Sequence, residues 1–112
     1  MSDEKKDINM IAMDVIMNAG DGRVKVDAAL AALANVDLTQ AETLLLEAEE
    51  LIVKAHNAQT EVIQDQVSGE DTEYSLLFIH AQDTLMTITT ELRMTQKLLP
   101  IIKMLLHRQK GE

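Results

Sequence analysis

A chain of 112 residues holds one domain with a modest core, and the absence of cysteine excludes disulfides and thiolate metal sites. Nineteen Asp and Glu against ten Lys and Arg leave a net charge of −9, which repels phosphate backbones and argues against a nucleic-acid partner. One Phe, one Tyr, no Trp, four Gly and one Pro among abundant Ala, Leu and Met make the composition of a helical bundle.

The N-terminal MSDEKKDINM is charged where a signal peptide needs an apolar core, and residues 1–6 read as a flexible tail. No apolar run approaches the roughly 20 residues of a membrane span, so a soluble, cytoplasmic protein with no insertion in the membrane is expected. Helical periodicity predicts segments over 7–34, 38–67 and 72–106, an all-α fold arranged as a three-helix antiparallel bundle within a single domain, 1–112. In the first segment Gly20 and Gly22 of NAGDG threaten a break, because glycine inside a helix costs about 1 kcal/mol relative to alanine. Asp37 followed by Gln40 matches a capping box and starts the second segment. Ser68 and Gly69 of QVSGEDT end that segment, and Asp71 or Thr72 caps the next. Pro100 removes a donor from the third segment and should kink or shorten it.

Apolar residues in the first segment form two stripes. Ile8, Ile11, Val15, Ala19, Val26, Leu30 and Leu33 share one face, and Met10, Met13, Met17, Val24, Ala28 and Ala31 lie nearly opposite. The third segment repeats this, with Leu77, Ala81, Leu85, Ile88, Leu92, Leu99 and Leu106 on a core stripe. Leu76, Ile79, Met94, Leu98, Ile101 and Leu105 lie well round the helix. A monomeric bundle needs one stripe per helix, so the second stripes are expected to face other subunits. The second segment carries Ala41, Leu45, Ala48, Ile52, Ala55 and Val62 on one stripe, with Gln59 and Gln66 at its centre.

The stretch FIHAQDTLM places His80 and Asp83 inside an apolar run. At about 100° per residue both fall, with Thr87, on the second stripe of the third segment. By residue type and spacing they fit a hydrogen-bonded structural histidine, two metal ligands, a base with its orienting carboxylate, or a helix-surface pair. Nucleophilic or phosphoryl-transfer chemistry through His80 is open as well. The Glu-x-x-His pattern of di-iron bundles is absent, as are HExxH, Walker A and GxGxxG.

Three blocks, AGDGR at 19–23, AHNAQTEVIQ at 55–64 and SLLFIHAQDTLMT at 75–87, resemble in order and spacing the lactose/cellobiose family of IIA components of the bacterial sugar phosphotransferase system. The resemblance spans roughly residues 8–99. It implies a three-helix subunit assembling as a homotrimer, in which His80 accepts phosphate from the phosphocarrier HPr and passes it to a cysteine of the sugar-specific IIB component. The sugar, of lactose, cellobiose or chitobiose type, then enters through a membrane IIC component. The resemblance also implies that Asp83 meets its symmetry copies around one divalent cation per trimer on the threefold axis. An oxygen-only donor set suggests Mg²⁺.

Physical chemistry is compatible with those roles. A labile N–P bond benefits from apolar neighbours that exclude water, and Leu76, Ile79 and Met94 share the face of His80. Neutral imidazole attacks without a general base, and in-line phosphoryl transfer is mainly positioning and charge stabilisation. Converging Asp83 carboxylates repel one another unless protonated or joined by a cation. Around this pair, Gln59 is expected to make an interhelical hydrogen bond or to orient His80, and Gln82 to reach a neighbouring subunit. His56 reads as structural, and His107 as a cation at a helix C-terminus. Departures from the family pattern are Thr84, where HAQDHLM has a second histidine, Gly22, where alanine is frequent, and the C-terminal LLPIIKMLLHRQ. The competing classes are a non-catalytic oligomeric adaptor and a two-component histidine phosphotransfer domain, which usually has lysine three residues after its histidine.

Overall fold

The computed structural model describes residues 7–69 and 74–110, in which three helices, α1 (Ile8–Ala34), α2 (Leu38–Val67) and α3 (Leu76–Lys110), follow one another without strands. The expected N-terminal tail and the expected caps Asp71 and Thr72 lie outside the described residues. Ser75 caps α3 instead, its hydroxyl accepting from the Phe78 N–H at 3.0 Å and donating to Asn9 Oδ1 at 2.6 Å. That second bond ties the start of α3 to the start of α1, so α1 and α3 run parallel and α2 antiparallel to both.

Burial follows a strict seven-residue repeat in every helix. In α1 the buried positions are Ala12, Val15, Ala19, Gly22, Val26, Ala29 and Leu33, with Ala32 beside the last. In α2 they are Ala41, Leu45, Ala48, Ile52, Ala55, Gln59 and Val62, and in α3 Phe78, Ala81, Leu85, Ile88, Leu92 and Thr95. Alternating steps of three and four are the signature of left-handed supercoiled packing, in which each seam residue inserts between residues of the facing helix. The core stripe expected for α1 is corrected at two points: Leu30 is 41% exposed, and Ala29 takes its seam position. Gln66 is exposed too, because α2 has passed the end of the seam at Val62.

Neither glycine breaks α1. Gly22 is buried in a close approach of α1 to α2, and a Cβ there would stand 3.0 Å from Ile52 Cγ1 and 3.6 Å from the Ala48 carbonyl oxygen. Pro100 does not shorten α3, which continues to Lys110. Pro100 forfeits only the bond to the Gln96 carbonyl. Leu99 and Ile102 hold the helix on either side by packing against Ala32, Leu33 and Ala41, and Lys103 pairs with Glu42.

Polar straps close the bundle. Arg23 of α1 makes two parallel hydrogen bonds to Glu91 of α3, each 3.0 Å, and Glu91 holds the guanidinium above its ordinary pKa. Glu49 of α2 accepts from Gln96 at 2.8 Å and from Arg93 at 2.9 Å, which pulls its carboxyl below the ordinary glutamate value. The first strap joins α1 to α3 and the second joins α2 to α3, the two helices that approach each other over the shortest stretch.

The α1–α2 turn has a conformation that the sequence conceals. Asp37 N–H donates to the Ala32 carbonyl at 2.8 Å and Val36 N–H to that of Leu33 at 3.0 Å, the paired bonds of a Schellman C-cap. Val36 therefore sits at φ 59, a left-handed position that glycine usually fills. Asp37 Oδ1 caps α2 through Gln40 N–H at 3.2 Å, but the reciprocal half of the expected capping box is missing because Asp37 N–H is already committed to Ala32. A β-branched side chain in the left-handed region costs about 1–2 kcal/mol. Val36→Gly should therefore raise the stability of the folded chain by about 1 kcal/mol, the added freedom of glycine when unfolded taking back part of the relief. Urea unfolding checks this, and an unchanged or lower midpoint would contradict it.

Candidate functional site

The first three turns of α3 build the candidate site. Phe78, Ala81 and Leu85 face the core, which turns Leu76, Ile79, His80 and Asp83 outward. Together with Leu77 they line an open groove of about 580 Å³ whose walls are mostly hydrocarbon. The Ser75 clamp fixes where this helix begins and so which residues reach the groove. Neither Leu77 as a wall nor the Ser75–Asn9 bond was foreseen from sequence. The Ser75-to-Phe78 spacing, an N-cap hydroxyl three residues before its amide partner, was the available signal for the clamp.

His80 and Asp83 share the groove, yet no hydrogen bond or ion pair joins them. Among the described residues neither side chain has any such partner. Among those residues the imidazole is neither oriented by a carboxylate nor satisfied as a structural histidine. Thr87 donates its hydroxyl to the Asp83 backbone carbonyl at 2.8 Å, and Thr90 donates likewise to Met86 at 3.0 Å. These threonines satisfy themselves within the helix and leave the Asp83 carboxylate free. No group of three or more His, Asp or Glu side chains that could hold a metal ion exists among the described residues.

The other candidate residues fall at varied distances from this centre. Leu76 and Ile79 are walls of the groove, as expected. Met94 is 14 residues further along α3, about 21 Å at 1.5 Å per residue, and does not shelter His80. Gln82 is half-buried and absent from the lining, while His56 and His107 are exposed. Gln59 differs from both of its expected roles. It is 6% exposed on the α2 seam, and its Oε1 has no hydrogen-bond partner, neither across helices nor to His80.

Comparison with known proteins bears on this site. The family model for the lactose/cellobiose-specific IIA subunit of the phosphotransferase system matches residues 10–103. The chain is 40% identical over 85 residues to a lichenan-specific phosphotransferase enzyme IIA component of Bacillus subtilis, covering 76% of this chain and 77% of that protein. It is 39% identical over 83 residues to a lactose-specific EIIA component of Staphylococcus epidermidis, covering 74% and 80%. A cellobiose-specific enzyme IIA from Bacillus anthracis superposes with TM-score 0.83 at 32% identity, over 96% of this chain and 98% of the other. A chitobiose IIA solved in complex with HPr superposes with TM-score 0.76 at 25% identity, over 90% and 98%.

The unpartnered Gln59 oxygen yields a direct expectation. An orphaned buried acceptor costs about 1–3 kcal/mol, so Gln59→Leu, close in volume and free of that acceptor, should stabilise the fold by about 1 kcal/mol. Thermal unfolding checks it. A destabilised variant would mean that the amide has a partner in the working protein.

Proposed function

We infer that this chain, which belongs to the lactose/cellobiose-specific IIA family of the sugar phosphotransferase system, carries a phosphoryl group on His80 between HPr and a sugar-specific IIB component. One observation carries the reading. The histidine of the HAQD block stands exposed and unpartnered in a groove walled by Leu76, Leu77 and Ile79, open to a docking protein on one side. An imidazole nitrogen forms its N–P bond as the bond to phospho-HPr breaks. That N–P bond then breaks as a cysteine sulfur of IIB takes the phosphoryl group. Neutral imidazole brings its own lone pair, so no base is required within the chain. The partner completes the enclosure that the groove begins, excluding water from the labile bond. The relative solved with HPr supports this donor, and the lactose-, lichenan- and cellobiose-specific relatives support a plant- or milk-type oligosaccharide system.

The assembly belongs to the same reading. Met10, Met13, Met17 and Val24 of α1 and Leu76, Ile79, Met94 and Leu98 of α3 are exposed on the single chain, apolar stripes suited to burial between copies. In a homotrimer built on the α3 stripe, the Asp83 carboxylates converge on the threefold axis. Each has no hydrogen-bond or ion-pair partner among the described residues of its own chain, which suits it to share a hard divalent cation such as Mg²⁺. Such an ion neutralises the cluster and links the subunits. No described helix is long and apolar enough to cross a membrane, in keeping with a cytoplasmic carrier that serves a membrane IIC component.

His80→Ala should abolish acid-labile labelling from phosphoenolpyruvate and the general phosphotransferase proteins, while the molecular mass in solution is unchanged. The groove walls, not the imidazole, supply the apolar area. Label retained in His80→Ala, or lost in His56→Ala, would assign the phosphoryl acceptor elsewhere.

Asp83→Leu replaces every member of the axial cluster at once, and such all-member replacements are neutral or stabilising by about 1–4 kcal/mol. The variant should remain trimeric and ignore EDTA, whereas the parent should melt at a lower temperature once chelated. Light scattering and thermal melts with and without EDTA decide the matter. A parent that is monomeric or indifferent to EDTA removes the axial cation.

A further inference from the structure

A phosphoryl group on His80 brings about two negative charges and three oxygens that accept hydrogen bonds. The end of the bundle that holds His80 has few groups to meet them. Arg23 pairs with Glu91 and Gly22 stands against Ile52, so the described residues on the His80 side of that level are 7–22, 55–69 and 74–90. None of them is Lys or Arg. The groove is walled by Leu76, Leu77 and Ile79, and its other polar side chain, Asp83, can only accept when ionised. Gln82 lies about 200° from His80 around the helix. A phosphoryl group here needs a donor.

Thr84 is placed to supply one. It follows His80 by one helical turn, which sets the two Cβ atoms about 5–6 Å apart, and the lean of Cα–Cβ bonds towards the helix N-terminus inclines Thr84 over His80. Thr84 is half-buried, and it precedes Glu91 by seven residues, which places it on the flank of α3 beside α1. Its hydroxyl is uncommitted, and within this helix that is unusual. Thr87, Thr89, Thr90 and Thr95 each donate to the carbonyl four residues back at 2.7–3.0 Å, whereas Thr84 has no hydrogen-bond partner among the described residues. A helical threonine that forgoes this bond keeps its O–H available to another acceptor.

We propose that Thr84 is a phosphoryl-binding residue, its hydroxyl donating a hydrogen bond to a phosphoryl oxygen on His80. The proposal rests on the carrier reading of His80. Thr84 transfers no proton; it stabilises the charge while the N–P bond exists and is released when IIB takes the group. Where HAQDHLM has a second histidine, this chain thus has a smaller, neutral donor in the same register. A packing role alone would be met by valine, which keeps the shape of threonine without the hydroxyl.

Charging the full chain from phosphoenolpyruvate through the general phosphotransferase proteins, and measuring the partition of label between HPr and this chain at equilibrium, tests the proposal. Thr84→Val should shift that partition towards HPr about ten-fold, and Thr84→Ser should keep it near that of the parent. The phosphorus resonance of the phosphorylated chain gives a second reading that packing does not move. A donor favours the dianion, so the group should titrate at higher pH in Thr84→Val than in the parent or in Thr84→Ser. A Thr84→Val that matches the parent in partition or in titration overturns the proposal, as does a Thr84→Ser that behaves like Thr84→Val. A parent that takes no label on His80 overturns the carrier reading and this one together, whereas a labelled parent with an indifferent Thr84→Val overturns the role of Thr84 alone.

Discussion

The bundle depends on a seam of small side chains. Ala12, Ala19, Gly22, Ala29, Ala48, Ala55 and Ala81 occupy seam positions, and at Gly22 the facing helix is near enough that a single added carbon would press on Ile52. Helices held this close leave little interior volume. Large apolar side chains cannot all enter such a core, and those that do not, the methionines of α1 and Leu76, Ile79 and Met94 of α3, remain outside. The exposed apolar face is thus the counterpart of the tight interior. In the proposed trimer it becomes the second half of the core.

The same geometry sets the site. Because Phe78, Ala81 and Leu85 are committed to the seam, the helical repeat turns His80 and Asp83 to the face that the seam leaves open. The Ser75 clamp to Asn9 fixes the axial position of that first turn, and Thr87 and Thr90 spend their hydroxyls on their own helix. Two polar side chains are thereby presented without partners amid hydrocarbon. An unpartnered imidazole there is available as a nucleophile, and an unpartnered carboxylate is available to a cation or to its own copies.

Electrostatics divides the molecule by length as the seam divides it by face. Acidic residues cover the body, and the straps Arg23–Glu91, Glu49–Arg93 and Glu42–Lys103 place opposite charges across the gaps between helices. Their exposure limits what each contributes to stability. Their service is alignment, most of all between α2 and α3, the least closely packed pair of helices. From Leu92 to Lys110 the charge of α3 changes sign.

Composition and periodicity by themselves determined an all-helical chain, the limits of α2, the double-faced character of α1 and α3, and the placement of His80 with Asp83 on the outer face. These follow from local rules, the repeat of the helix and the caps at its ends. The tertiary structure decided what those rules cannot weigh. Alanine and glycine carry too little hydrophobic signal to mark a seam, so Leu30 looked like core and Ala29 did not, and Gly22 looked like a break when it is a point of contact. Val36 took a left-handed conformation that no β-branched residue announces, because closing the α1 C-cap and starting α2 demanded it. Pro100 stayed within its helix because Leu99, Ile102 and Lys103 have partners on neighbouring helices. Gln59 lost its expected partner because seam packing buried it, with no donor in reach of its oxygen. Each of these outcomes turns on which atoms of another helix stand opposite, and a one-dimensional pattern carries no record of that.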